Sequence, residues 1–461
     1  MPLIKSISGI RGTIGNKKNE NLTPSDIKSF TAAFGDWVKS KSGNSPVKIV
    51  VGRDARKSGE QINSIVKKTL VNIGINVIDI GLSTTPTVAM MVISEKSQGG
   101  IVITASHNPK EWNALKFLNN EGECLNAPSI LEVIKRSENM SFNFSNTDKK
   151  GSVKQMRNAI KSHIVSITNL PIINPKLIKE RKYRAVVDGV NSSGGIAIPM
   201  ILSFFEIEVI KINCEPNGDF SHDPEPLEKN LNDLAKEVKK QKADFGIAVD
   251  PDVDRLAFID EKGCYFGEEY TLVACADYVL SKKSGNTVSN LSSTIALSDI
   301  TKRYNANHYS SKVGEVNVVE EMKLRKAVIG GEGNGGVIYP DLHYGRDALI
   351  GVALFLSLIA ERNIKVSELK SIYPLYFMCK QKINLDSKIN IESIFTSLKE
   401  KFNAFKIITI DGIKIHFKDS WIHLRKSNTE SIIRIISEGK SKNIAEKIAK
   451  AFVEEINKKI D

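Results

Sequence analysis

Residues 250–255 read Asp-Pro-Asp-Val-Asp-Arg, three carboxylates at alternating positions directly after the apolar run Phe245 to Val249. Carboxylates crowded at the end of a buried strand repel one another, and a divalent cation is their natural neutraliser. Oxygen-only ligands favour Mg²⁺, Ca²⁺ or Mn²⁺ over zinc. Asp250, Asp252, Asp254 and Glu261 also match positions one, three, five and twelve of a helix–loop–helix calcium loop. That reading fails because Arg255 stands at position six, where the turn needs glycine, and because the flanks are strand-like. A solvated acidic turn is the plain alternative. Arg255 weighs against it, since a cation beside an arginine makes a place for an anion.

A second segment is Thr104-Ala105-Ser106-His107-Asn108-Pro109, after the run Gly100 to Ile103. A serine at a strand end beside a histidine could act as a nucleophile. The hydrolase elbow G-x-S-x-G is absent, because Thr104 and Asn108 stand where its glycines belong. Taken alone, the segment reads better as an ordinary Asn-Pro turn, although Asn113 and Lys116 downstream add donors suited to phosphate. Third, Gly331, Gly333 and Gly336 fit the spacing G-x-G-x-x-G of dinucleotide binding. Pro340 rejects it by stopping any helix on which a pyrophosphate would rest. What remains is a glycine loop offering Glu332 and Asn334, both able to bond sugar hydroxyls, or simply a flexible connection. Fourth, Arg425-Lys426-Ser427-Asn428-Thr429-Glu430, with Arg434 beyond, combines arginines, hydroxyls, an amide and turn N–H groups into a phosphate nest; a basic hairpin loop is the plain reading.

The elements that must position these groups are legible as short apolar runs, Val47–Val51, Gly100–Ile103, Ala185–Val187, Phe245–Val249 and Ala327–Ile329, each ending in a polar loop. Runs this short suit strands buried on both faces of a mostly parallel sheet. Amphipathic stretches over Ser58–Ile73 and Leu227–Lys240 predict helices between them. This alternation argues α/β, where ligands bind beyond the carboxyl ends of strands. The last segment differs: Ile413, Ile415 and Phe417 alternate with polar residues, then come Trp421–Leu424, Ile432–Ile436 and a helix carrying Ile444, Ile448, Phe452 and Ile456, an α+β unit. Breaks near 141–150, 260–263 and 372–374 divide the chain into 1–150, 151–259, 260–374 and 375–461.

A chain of 461 residues, 41% hydrophobic and 26% charged, has ordinary globular composition, which excludes disorder or coiled coil as its main state. Its five cysteines form no C-x-x-C pair and read as small hydrophobes in a reducing compartment. The longest apolar stretch, Leu349 to Ala360, is too short to span a membrane, and the first residues lack the apolar core of a signal peptide, so a cytoplasmic location is expected. The net charge of +12 invites a nucleic-acid reading, but residues 377–461 hold 17 Lys/Arg against 11 Asp/Glu, half of the excess. Most of those lysines alternate with apolar residues, as on a solvated face.

The four loops, in this order, resemble those of the α-D-phosphohexomutase family, over nearly the whole chain. The resemblance implies four domains around a central cleft, each giving one loop. It implies that Ser106 carries the transferred phosphoryl group, that Asp250, Asp252 and Asp254 bind Mg²⁺ together with the Ser106 phosphate, and that Glu332 and Asn334 read the sugar. Arg425, Ser427, Asn428 and Thr429 would hold the phosphate not being transferred. Ser8-Gly9-Ile10-Arg11-Gly12-Thr13 matches the family's N-terminal loop, whose arginine faces the active site, and Lys116 matches its active-site lysine. Asn334 stands where many members have serine, and Ser431 where they have proline. Segments 312–317, 331–336 and Tyr344-Gly345-Arg346-Asp347 are most similar to archaeal-type phosphoglucosamine mutases. The implied reaction moves phosphate between the 6- and 1-positions of a hexose through a bisphosphate, in a monomer or homodimer without nucleic-acid or membrane partners. Arg11 and Arg255 would offset charge. Lys116 or His107 would serve as general base, Lys116 with its pKa lowered by nearby cations. The alternatives are a phosphomannomutase/phosphoglucomutase and, from another class, a non-catalytic phosphosugar- or nucleic-acid-binding protein.

Overall fold

Apolar runs that stop at polar loops become the inner strands of three sheets, and the alternating C-terminal pattern becomes a fourth. The computed structural model of the chain describes residues 3–43, 45–139, 150–384, 391–427 and 432–460. The first sheet holds β1 (Ile4–Ser6), β2 (Gly9–Thr13), β3 (Lys48–Arg53), β4 (Asn76–Leu82), β5 (Gly99–Ile103), β6 (Trp112–Leu118) and β7 (Val153–Gln155), in the order β1-β2-β6-β5-β3-β4-β7. It takes in β7 from beyond the division expected near residue 150; of that expected linker, residues 141–149 lie outside the described residues. The second sheet holds β8 (Arg184–Asp188), β9 (Glu208–Ile212), β10 (Phe245–Val249) and β11 (Leu256–Asp260), in the order β11-β10-β8-β9. The third holds β12 (Thr287–Asn290), β13 (His308–Ser311), β14 (Ile329–Glu332) and β15 (Gly336–Ile338), in the order β13-β12-β14-β15. In each, the central pairs are parallel, joined through helices, and an antiparallel hairpin follows them, β5–β6, β10–β11 and β14–β15; the first sheet continues antiparallel through β2 and β1.

The fourth sheet is wholly antiparallel, β16-β20-β19-β18-β17, built from β16 (Phe377–Asn384), β17 (Lys406–Ile408), β18 (Ile413–His416), β19 (Ser420–Lys426) and β20 (Ile432–Gly439). Helices Ile391–Lys401 and Lys442–Ile460 accompany it, and its core of Ile415, Ile422, Leu424, Ile435 and Phe452 is separate from the others. The α/β and α+β expectations therefore hold.

Helix starts follow local chemistry. Thr23 and Asp26 form a reciprocal capping box ahead of Pro24–Ser42, and Thr84 caps Thr85–Ser94. The expected helix Ser58–Ile73 is present as Gly59–Asn72. The stretch Leu227–Lys240 is not one helix: a 3₁₀ turn, Glu228–Asn230, precedes the helix Asn232–Gln241, and the junction falls at buried Leu231. The second and third sheets share one continuous core, in which Phe258 of β11 stacks on Phe355 of helix Ala348–Arg362 with ring centroids 3.8 Å apart. All five cysteines are free thiols; Cys275 is buried, but Cys264 is exposed at the turn after β11, so the small-hydrophobe reading fails there. No helix among the described residues is long and apolar enough to cross a membrane.

Candidate active site

The three added hairpins share one design. Ser106 lies between β5 and β6, the aspartates lie between β10 and β11, and Glu332 and Asn334 lie at the turn between β14 and β15. Glu332 is the last residue of β14 rather than a loop residue as expected, because the strand runs on through Gly330 and Gly331.

Ser106 sits in a left-handed conformation, φ 49°, which a non-glycine residue adopts only when its surroundings enforce it. Those surroundings are Asp54 and Arg56. The Ser106 N–H donates to Thr104 Oγ1 at 2.9 Å, and Thr104 Oγ1 donates to Asp54 Oδ2 at 2.6 Å. Arg56, fully buried, pairs with Asp54 and donates to the carbonyls of Ser106, Asn108, Pro109 and Trp112. The Ser106 hydroxyl donates to Asp250 Oδ2 at 2.7 Å and lies 3.4 Å from His107 Nδ1.

The aspartate loop wraps on itself: Asp250 Oδ1 accepts from the N–H groups of Asp254 and Arg255, and Val253 takes φ 63°. Asp252 Oδ2 accepts from Thr85 Oγ1 at 2.6 Å and Lys116 Nζ at 2.7 Å. Asp254 Oδ2 accepts from Arg346 at 2.6 Å. Asp252 Oδ1 and Asp254 Oδ1 are buried with no partner, and one oxygen from each of the three carboxylates falls within 4.8 Å of the others. Orphaned buried carboxylate oxygens on an all-oxygen set fit a hard divalent cation. Glu261, the twelfth position of the rejected calcium loop, instead bonds Ser367.

Electrostatics distinguish the neighbours. Burial, with Asp254 and Asp252 nearby, pushes the Asp250 carboxyl well up. Burial, reinforced by Arg255, Arg11 and Arg346, holds the His107 imidazole well below its ordinary value, so it is neutral. Lys116, on β6, corrects an expectation. Burial opposes its charge, but Asp252 and Asp254 outweigh burial and hold its pKa above the ordinary lysine range. In this geometry it is a firm cation. Arg255 pairs with Glu225 at 2.6 Å, and Arg11 reaches Asn108 and the Ser8 carbonyl. Asn113 turns away to Ser58.

Arg346 is the residue that sequence reasoning left without a role. Its guanidinium meets Asp254 at 2.6 Å, Glu332 at 2.9 Å and Glu315 at 3.3 Å, joining the aspartate loop to the glycine loop. The signal for it was Asp347, a helix cap before an apolar run, but Arg346's partners are remote in sequence. Arg56 was missed likewise, although it follows the Gly52-Arg53-Asp54 segment at the end of β3. Glu332 also accepts from Asn290 and the Gly314 N–H; burial would raise its pKa, and Arg346 reverses that. Asn334 Oδ1 accepts from the Gly336 N–H.

On the fourth unit, Arg425 is half-buried; burial, together with Arg434, lowers its pKa, while Asp411 and Glu332 favour its charge. Ser427 closes the hairpin through its N–H to the Ile432 carbonyl. Asn428 and Thr429 lie outside the described residues.

Comparison with known proteins matches the chain from end to end. The models for phosphoglucomutase/phosphomannomutase α/β/α domains I, II and III match residues 4–144, 161–263 and 267–376, and that for the C-terminal domain matches 381–455. A Thermococcus kodakarensis protein named phosphoglucomutase/phosphomannomutase is 37% identical over 443 residues, 95% of this chain and 94% of its own. A Sulfurisphaera tokodaii protein named phosphoglucosamine/phosphogalactosamine mutase is 33% identical over 448 residues, 95% of each chain. The crystal structure of a phosphoglucomutase/phosphomannomutase family protein from Burkholderia thailandensis superimposes with a TM-score of 0.84 at 25% identity, covering 98% of both chains.

Proposed function

Because the chain belongs to the phosphoglucomutase/phosphomannomutase family, and is thus a phosphohexomutase, we propose that it interconverts glucosamine 6-phosphate and glucosamine 1-phosphate through phosphorylated Ser106. The observation that carries the chemistry is the buried Ser106 hydroxyl, held in a strained turn 2.7 Å from Asp250.

Phospho-Ser106 gives its phosphoryl group to the free sugar hydroxyl; the P–O bond to Ser106 breaks as the bond to the sugar oxygen forms. The bisphosphate turns over in the cleft and returns its other phosphoryl group to Ser106. Catalysis of this kind is mostly positioning and charge compensation. When Ser106 takes a phosphoryl group back, neutral His107, 3.4 Å from the serine oxygen, suits acceptance of the Ser106 hydroxyl proton, and charged Lys116 suits donation to the sugar oxygen that leaves; the forward step runs the same transfers in reverse. Asp250, Asp252 and Asp254 would hold Mg²⁺, which when bound supplies positive charge to the transferring phosphoryl group. Arg11 and Arg255 add to that field, and Arg425, with Ser427, Asn428 and Thr429, anchors the idle phosphate while Glu332 and Asn334 read the sugar. The five free thiols suit a reducing cytoplasm.

An amino sugar carries an ammonium at C2. Glu315 and Glu332 both meet the Arg346 guanidinium, which Asp254 also engages, and carboxylate charge gathered there favours such a substrate. The second reading is phosphomannomutase/phosphoglucomutase, favoured by the name of the 37% identical relative. Specificity constants for glucosamine, glucose and mannose 6-phosphates with Mg²⁺ decide between them; preference for glucose or mannose by tenfold would reject the amino sugar. Intact mass tests the phosphoserine: the active enzyme carries an extra ~80 Da that Ser106→Ala removes together with turnover.

A further inference from the structure

The aspartate loop is held from two sides, and the two arms meet at one buried histidine outside the catalytic cluster. From the first unit, Thr85 donates its N–H to the Asp252 carbonyl at 2.9 Å and its hydroxyl to Asp252 Oδ2 at 2.6 Å. Thr85 opens the helix Thr85–Ser94, and in that first turn the Thr87 hydroxyl, itself bonded to Thr84, lies 3.0 Å from His163 Nδ1. From the third unit, Arg346 holds Asp254, and the Ala348 N–H donates to the Val253 carbonyl at 3.1 Å. Between those residues, Asp347 caps the helix Ala348–Arg362 with Oδ1, and its Oδ2 meets His343 Nε2 at 3.3 Å and stands 3.0 Å from His163 Nε2, a charge contact without hydrogen-bond alignment. The contacts close into a ring: Asp252, Thr85, Thr87, His163, Asp347, Arg346, Asp254. His163, on helix Ala159–Thr168, has no exposed surface, and neither do Thr87 and Asp347.

We propose that His163 is a positioning residue that fixes the spacing between the Thr85 and Arg346 arms and so sets the geometry of the Asp250–Asp254 metal loop. The ring carries this because each arm is anchored on both partners. Thr87 and Thr85 share one helical turn, Arg346 and Asp347 are neighbours, and a packed core cannot slide one arm without disturbing either the Thr87 hydrogen bond or the Asp347 charge contact at the imidazole. Residues behind metal ligands set affinity by orienting them. An imidazole suits the place because it presents a polar atom at each end of a rigid ring. A leucine of similar bulk fills the space but joins nothing, and a glutamine keeps one donor and one acceptor. The inference rests on reading the three aspartates as the metal loop.

The test is Mn²⁺ binding to the full-length protein, followed by electron paramagnetic resonance of the free ion, beside Mg²⁺-dependent turnover. His163→Leu is expected to weaken Mn²⁺ binding about tenfold or more and to lower kcat, with KM for the sugar phosphate within about twofold. His163→Gln restores most of both, and Thr87→Val, which cuts one arm only, shifts affinity in the same direction by less. A folded His163→Leu enzyme with unchanged Mn²⁺ affinity overturns the proposal; if that variant does not fold, unchanged affinity in Thr87→Val overturns it. One equivalent of zinc in the purified enzyme, lost in His163→Leu, would also overturn it, since the cluster would then be a metal site of its own. Wild-type protein that binds no Mn²⁺ rejects the metal-loop reading itself, and the inference with it.

Discussion

Arg56 does for the serine turn what a bound ligand would otherwise do. Four carbonyls of residues 106–112 converge on one guanidinium, and its charge is met by Asp54. Burial alone pushes the Asp54 carboxyl up, and Arg56 with Thr104 works against that. Lysine cannot substitute, having a point charge and three donors where a planar fork with five is used. Arg56→Met leaves Asp54 buried and unpaired, for which we expect a loss of about 3–5 kcal/mol in urea unfolding. We also expect phosphate incorporation at Ser106 to fall further than stability explains, because the φ 49° turn is no longer enforced. Equal activity in a folded Arg56→Met protein would refute the role. None of this could be read from Gly52-Arg53-Asp54-Ala55-Arg56, because the carbonyls it meets lie some fifty residues on, in the hairpin after β5.

At the scale of elements, the repeated unit is the antiparallel hairpin attached to the parallel strands of each α/β sheet, since all three of its connections carry site residues. The third is tight: Gly335 has φ 85°, and a Cβ there would stand 2.3 Å from the Leu256 carbonyl oxygen of β11. That carbonyl belongs to the hairpin of the aspartate loop, and the Leu256 N–H in turn bonds Gly335 O. Gly335→Ala is therefore expected to cost about 1–3 kcal/mol and to raise KM for the sugar phosphate by shifting Glu332 and Asn334. An unchanged KM would show that the turn does not position them. Four of the five apolar runs coincide with strands, but the fifth, Ala327–Ile329, meets β14 only at Ile329, and the end of β14 was not legible. Glycines at 330 and 331 look like loop, yet they are required where a side chain would meet Met322 and the carbonyl oxygens of Val288 and Gly336.

For the whole molecule, the second and third units share a core, whereas the fourth docks on the third largely through polar contacts. Lys414 Nζ donates to the Leu291 carbonyl, His423 Nδ1 meets Ser292 Oγ, and Glu438 accepts from the Ile295 N–H and Trp421. Burial, with Lys414 nearby, lowers His423 to about 4, and burial lowers His308 to about 3. Both are neutral when folded but protonate when unfolded below the ordinary histidine value of about 6.5. The unfolded state then binds more protons, so their contribution is full above pH ~6.5 and is lost as pH falls toward ~4. Glu438 and Glu269, whose carboxyls burial pushes up, act in the opposite sense. The comparison that isolates the histidine is wild type against His423→Gln: the thermal midpoint of the variant should fall less between pH 7 and pH 4.5. Parallel curves would reject this.

The sequence by itself determined the elements and the ligand types, because periodicity and side-chain chemistry are local. It supplied a serine after one strand, three aspartates after another and a carboxylate beside glycines at the end of a third. Only the tertiary structure decided their working state. Lys116 was expected to lose its proton to the influence of neighbouring cations, but the groups that reach it are Asp252 and Asp254, more than a hundred residues away, and they hold the proton on. The same holds for Arg56, Arg346 and His163, ordinary residues in the sequence whose roles come from partners remote along the chain, in the same unit for Arg56 and in other units for Arg346 and His163. Distances of a few ångströms between remote segments fix charge and position, and no local pattern encodes them.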